Sequence, residues 1–296
     1  MNTRQISIQQ QRNIIFSKLK TDIPFMVNVS LKEDLDGFIC YKQDITSKII
    51  DKETQITAKI ITREPGIFCG KQWVEEIFYQ LGNKIIINWL VNDGDFITKN
   101  QVLCKMTGQS QIILTGERTS LNFIQTLSSV STITYKYVKQ LEGTTTKLLD
   151  TRKTIPGLRT ALKYAVLIGG GFNHRFGLSD SYLIKENHII STGSISKSVS
   201  FARKLRPELS IEVEVENLKE LLEAINIGVD IIMLDNFSLT MIKKAVDITN
   251  GKALLEVSGN VPLDKIKDIA KIGVDFISVG ALTKNIKAMD LSMIFI

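Results

Sequence analysis

After Gly143 the chain alternates short apolar runs with stretches of helical spacing. The runs TKLLDT, SYLIK, SIEVEVE, DIIMLD, ALLEVSG and DFISVG read as strands, and an intervening stretch such as NLKELLEAINIG reads as an amphipathic helix with Asn217 at its N-cap. Successive runs lie roughly 20 to 35 residues apart, the length of a βα unit, so a parallel sheet covered by helices is expected. Six or seven units in a row suggest a barrel.

The amino-terminal part has a different pattern. Residues 55–70, QITAKIITREPGIFCG, alternate like a strand pair, and Lys71 to Leu81 carry apolar residues at helical spacing. KIIINWLVNDGDFITKNQVLCKMTG predicts short strands joined at an Asp93-Gly94 turn. From Glu117 to Gly143, Leu121, Ile124, Leu127, Ile133, Tyr137 and Leu141 predict a long connecting helix. This half is α+β.

The predicted strands share one feature: each finishes in a charged, polar or glycine residue. Asp150, Thr151, Arg152 and Lys153 follow KLL, Lys185 follows SYLI, Glu214 and Glu216 come late in IEVEVE, Asp235 ends IIML, Ser258 and Gly259 end LLEV, and Gly280 follows ISV. Parallel strands place their carboxyl ends on one face, where βα barrels carry their chemistry. On the run Ile211 to Glu216, outward Ile211, Val213 and Val215 would leave Glu212, Glu214 and Glu216 facing the interior, where they require cations, hydroxyls or a metal. A second cluster, GGGFNHR, joins three glycines to His174 and Arg175 and is neither a dinucleotide fingerprint nor a P-loop. Of the two histidines, His174 reads as a site residue and His188 as structural.

With 296 residues, 44% hydrophobic and 23% charged, the composition is that of an ordinary globular protein of about two domains. No apolar run approaches the roughly 18 residues of a membrane helix, and the polar start MNTRQISIQQQR lacks the apolar middle of a signal peptide, so the cytoplasm is the expected location. Cys40, Cys69 and Cys104 are widely spaced, odd in number and without a CxxC pair, and read as buried free thiols rather than disulfides or zinc ligands. The net charge of +6 suits anionic partners, while the absence of a basic run or interleaved aromatics disfavours nucleic acid.

The runs ERTSLNF, TRKTIPGLR, KYAVLIGGGFNHRFGLSDSYLIKENH, EVEVENL, DIIMLDN, EVSGN and GVDFISVGALT, in this order, resemble quinolinate phosphoribosyltransferase. Residues 33–47, around EDLDGFICYKQDIT, depart from the family's pattern. The resemblance implies an amino-terminal α/β sandwich domain over residues 1–117, an incomplete TIM-like α/β barrel of six or seven strands over 118–281, and a segment 282–296 that returns to the first domain. It also implies the reaction: quinolinate and phosphoribosyl pyrophosphate, with Mg2+, give nicotinate mononucleotide, pyrophosphate and carbon dioxide. Quinolinate would be bound by Arg118, Arg152, Lys153, His174, Arg175 and Lys185, and phosphoribosyl pyrophosphate by Lys153, Lys185, Glu214, Asp235, Ser258, Gly259 and Gly280. Lys153, Glu214 and Asp235 would be catalytic, with Glu214 and Asp235 facing the metal directly or through water. A homodimer is implied, with Arg118 completing the neighbouring site. Competing readings are a barrel homologue using the same scaffold on another substrate, a carrier module with Lys105 as attachment site, and a purely structural or nucleic-acid-binding barrel.

Overall fold

The computed structural model describes residues 3–296. It forms two compact units. The first comprises Lys136–Lys153 and Gly171–Ala281, with the start of the chain up to Ile14; the second comprises Ile15–Tyr135, Thr154–Gly170 and Leu282–Ile296.

The chain starts with helix α1 (Thr3–Asp34), which carries Pro24 in its interior. The second unit then holds β1 (Gln55–Thr62), β2 (Gly66–Ile67), α2 (Lys71–Gln80), β3 (Ile86–Trp89), β4 (Phe96–Ile97), β5 (Val102–Gln109) and most of α3 (Ser110–Gln140). Residues 55–70 do contain two strands, but these do not pair with each other. β1 lies between β5 and the final strand of the chain, Leu291–Phe295, both antiparallel, while β2 pairs with β4. Likewise β3 pairs with β5 across the Asp93-Gly94 turn, so β4 stands outside the four-stranded sheet. Lys105 sits opposite Lys59 and Asn88 in the middle of a strand paired on both sides. A carrier lysine has to be presented at an exposed hairpin turn, so the carrier reading is corrected. The departing segment 33–47 follows the end of α1 and contains a short 3-10 turn, Tyr41–Gln43, with a second starting at Ser47.

All six predicted strands of the first unit are present: β6 (Lys147–Leu149), β7 (Tyr182–Ile184), β8 (Ile211–Val215), β9 (Ile231–Asp235), β10 (Leu254–Ser258) and β11 (Phe276–Ser278). They form one parallel sheet in the order β6-β11-β10-β9-β8-β7. The sheet is not closed, because no ladder joins β6 to β7, and the strand count is six rather than seven. Near that opening a single parallel bridge pairs Leu149 with Phe172. α4 (Arg159–Ile168) belongs to the second unit, and α5 (Glu186–Thr192), α6 (Ile195–Leu205), α7 (Leu218–Ile227), α8 (Leu239–Thr249) and α9 (Ile266–Lys271) separate the strands of the first. Val213, Val215, Ile232, Leu234, Val257 and Ile277 are buried. Each such side chain contributes about 1.5–3 kcal/mol through burial. Asn217 caps α7 as expected, its side-chain oxygen accepting from Lys219 N at 3.1 Å and Glu220 N at 3.0 Å. After α10 (Ala281–Lys284), the last strand becomes β12 (Leu291–Phe295).

Candidate active site

In a parallel sheet the carboxyl ends of all strands lie on one rim, and the first unit's polar strand ends collect there. Lys185 ends β7 and forms an ion pair with Glu214 of β8, and the two side chains are 44% and 15% exposed. Asp235 ends β9 in register with Ser258 of β10, so their chains emerge side by side. The following residue, Asn236, donates from Nδ2 to Asp235 Oδ2 at 2.9 Å, and its amide donates to Ser258 O. Gly259 has φ +126, and a Cβ placed there would lie 2.5 Å from Asn236 Oδ1, so both backbone and space require glycine. Gly280 brings the end of β11 against the β6 terminus: a Cβ there would meet Lys153 Cδ at 3.1 Å and Thr151 Oγ1 at 3.4 Å.

The loop GGGFNHR is attached to the same strand, β6. Phe172 N donates to Leu148 O and Asp150 N to Phe172 O, a short ladder that leads residues 173–175 along its edge. Asp150 is fully buried and accepts from Asn173 Nδ2 at 2.6 Å and from the His174 amide at 2.9 Å. Arg175, 8% exposed, donates from Nη1 to Ser181 O at 3.2 Å. Burial, and next the like charge of Arg152, press the Arg175 pKa down, while Glu212 and Asp180 oppose that shift.

The predicted row of three interior carboxylates needs correction. Glu212 is buried and Glu214 half-buried, but Glu216 lies beyond the end of β8 and is exposed, because the strand has already reached solvent. The third interior acid is Glu256, in the middle of β10, which the sequence reading did not single out. His174 Nε2 lies 3.0 Å from Glu212 and 3.5 Å from Glu256, with side chains 9%, 5% and 1% exposed. Burial, and next the charge of Glu212, push the Glu256 pKa up to about 8, against the pull of His174. A signal was available: Glu256 interrupts the apolar run LLEVS at an inward position, as Glu212 interrupts IEVEV. His188 is structural as read, accepting the Lys185 amide on Nδ1 at 3.0 Å at the start of α5. Arg118 is exposed on α3 in the second unit, so it is not among the residues gathered on the first unit's rim.

A rim of paired cations and carboxylates at the carboxyl ends of parallel strands defines an α/β enzyme that handles a small anionic substrate. The family models for the N-terminal and C-terminal domains of quinolinate phosphoribosyl transferase match residues 44–128 and 130–294. The chain is 37% identical over 272 residues to nicotinate-nucleotide pyrophosphorylase (carboxylating) of Mycobacterium leprae, covering 89% of this chain and 94% of that one. It is 35% identical over 294 residues to quinolinate phosphoribosyltransferase (decarboxylating) 1b of Nicotiana tabacum, covering 92% and 82%. The solved structure of the nicotinate-nucleotide pyrophosphorylase from Francisella tularensis superposes with a TM-score of 0.87 at 50% identity, covering 93% of this chain and 96% of that one. This chain belongs to the quinolinate phosphoribosyltransferase family. Among the described residues no helix is long and apolar enough to cross a membrane.

Proposed function

We propose that the protein transfers the phosphoribosyl group of phosphoribosyl pyrophosphate to quinolinate and decarboxylates the product, giving nicotinate mononucleotide, pyrophosphate and carbon dioxide for NAD synthesis. The observation that carries this reading, together with the family, is the gathering of charged strand ends on one side of the first unit's sheet, where Lys185 is ion-paired with Glu214 and Asp235 lies in register with Ser258. Quinolinate carries two carboxylates for the cations assigned to it, and a monocarboxylate would engage fewer of them.

In this reading the pyridine nitrogen bonds to the anomeric carbon as the bond to pyrophosphate oxygen breaks. The ring nitrogen, now cationic, stabilises the electron pair left on the adjacent ring carbon when its carboxylate departs as carbon dioxide, and that pair takes up a solvent proton to form the new C–H bond. Arg152, Arg175, His174 and Lys185 serve the quinolinate side. Lys153, packed against Gly280, serves the departing pyrophosphate, and Ser258, Gly259 and Gly280 the phosphate. Glu214 and Asp235 face the ribose, where carboxylates offset the positive charge developing at the anomeric carbon.

The two carboxylates stand at the next-to-last position of β8 and the last of its neighbour β9 and supply hard oxygen donors, a set that fits Mg2+ bound directly or through water. When bound, Mg2+ would neutralise the charge of the pyrophosphate group. The cyclic strand order, first strand beside last, supports an incomplete barrel open between β6 and β7. The exposed Arg118 completes the neighbouring site in a homodimer, and the three free thiols fit the reducing cytoplasm. The test is release of pyrophosphate and carbon dioxide by the purified protein supplied with phosphoribosyl pyrophosphate and Mg2+. Quinolinate should react and nicotinate should be turned over at least about 100-fold less efficiently. Equal turnover of nicotinate would overturn the dicarboxylate reading.

A further inference from the structure

Two carboxylates and an imidazole are buried together inside the first unit's sheet, away from the residues that end the strands. Glu212 lies in the first half of β8 and Glu256 in the middle of β10, and a small cavity beside them is lined by Ser181, Ser210, Ile231 and Phe276, at or just before the amino ends of their strands, and also by Arg175 and by Leu149, the last residue of β6. Each acid has an oxygen, Oε1, without a hydrogen-bond partner among the described residues. Burying such groups costs several kcal/mol, and apolar replacements of similar volume are often neutral or stabilising. Stability alone therefore does not account for the cluster.

His174, Glu212 and Glu256 offer ligand atoms within 4.8 Å of one another, a spacing that a metal ion would also suit. The other side of the ring decides against a metal. Arg175 N donates to His174 Nδ1 at 2.7 Å, so Nδ1 carries no proton and Nε2 is the N–H nitrogen. Coordination through Nε2 needs the opposite tautomer, which would point Nδ1–H at the Arg175 N–H.

The consequence reaches Arg175. Its amide is held by the His174 ring, the ring is held by Glu212 and Glu256, and the His174 amide is held by Asp150. Glu212 also offsets the repulsion that Arg152 exerts on Arg175. We propose that Glu212 and Glu256 are positioning residues for dicarboxylate recognition, acting through the His174 ring to set Arg175 against Arg152. The proposal rests on the reading of Arg175 as a quinolinate contact.

The experiment uses the full-length protein with Glu212→Gln, Glu256→Gln and Glu256→Asp, each alone and combined with Arg175→Lys. Calorimetric titration of wild type with quinolinate comes first: no binding would refute the substrate reading, and the inference with it. Given binding, Glu256→Gln should raise both Kd and KM for quinolinate about tenfold or more while KM for phosphoribosyl pyrophosphate stays within about twofold, and Glu256→Asp should recover part of the loss. In the Arg175→Lys background the Glu→Gln changes should add less than about twofold, because the group they position is already gone. Unchanged quinolinate affinity, equal losses for both substrates, or full additivity with Arg175→Lys would each overturn the proposal. So would a stoichiometric transition metal in the wild type that Glu256→Gln removes, or failure of all three variants to fold, which would assign the cluster to the core.

Discussion

Both ends of the six-stranded sheet carry acids, and they use them differently. At the amino ends, Asp230 just before β9 accepts the amide of Ile211 at 2.8 Å, and Asp275 just before β11 accepts the amide of Leu255 at 2.9 Å. Each carboxylate satisfies a backbone group and fastens one strand to the turn before its neighbour. At the carboxyl ends Glu214 forms an ion pair with the ammonium of Lys185, the residue that follows β7. Charge directed at backbone serves the fold, whereas charge directed at charge needs another purpose. The partner of a side chain therefore tells function from structure better than residue type does.

The largest expected effect that sharpens this contrast is at Arg152. Arg152→Ala removes a like charge beside Arg175, so the melting temperature should fall by less than about 2 °C. Efficiency with quinolinate should drop about 100-fold, and the preference over nicotinate should narrow. Steady-state kinetics with both acids and a thermal melt measure it. A large loss of stability with selectivity intact would place Arg152 in the scaffold.

At the opposite end the balance should reverse. Asp230→Ala leaves the Ile211 amide unsatisfied at a part-buried position, which costs about 1–2 kcal/mol. Denaturant unfolding should show this loss, with kcat per folded molecule within about twofold of wild type. A selective rise in the KM for either substrate would break the division between the two ends.

The first unit was largely legible in the sequence because its information is local. Each strand is a continuous apolar run bounded by polar residues, as burial on both faces demands, and pairing order follows chain order apart from the first strand meeting the last. The second unit was less legible because its sheet joins residues from distant places, β12 to β1 above all. Asp93 is another example: its Oδ1 accepts the amides of Gly70 and Lys71 at 3.0 and 3.1 Å and so caps α2 from 23 and 22 residues away, while its Oδ2 accepts from the Tyr164 hydroxyl. No local motif announces that cap. α1 was overlooked for a different reason. Its buried Ile15, Leu19, Ile23, Met26, Val27 and Leu31 are spaced as a helical face, but Pro24 and the polar start obscured the period. On the rim the residue types were readable, but the role of Asp150 there and that of Glu256 inside the sheet were not, since these depend on which loop returns to which strand.

The smallest effect tests whether partner, rather than position along the sheet, is the right criterion. Asn217 follows the rim strand β8 directly, two residues after its end and three after Glu214. By position it belongs with the site. By partners it belongs with the scaffold, since its oxygen accepts from the amides of Lys219 and Glu220 and its Nδ2 donates to Glu220 Oε1 at 2.8 Å. Asn217→Ala frees two amides at the start of α7 and should cost about 1 kcal/mol, whereas Asn217→Asp keeps an accepting oxygen and should cost less. Neither should shift kcat or either KM by more than about twofold, because Glu214 is held by Lys185 and not by this cap. Thermal melts and kinetics on the two variants settle the comparison. If Asn217→Ala instead lowered kcat tenfold at unchanged stability, nearness to the rim would outweigh partnership, and the distinction drawn between the two ends of the sheet would fail.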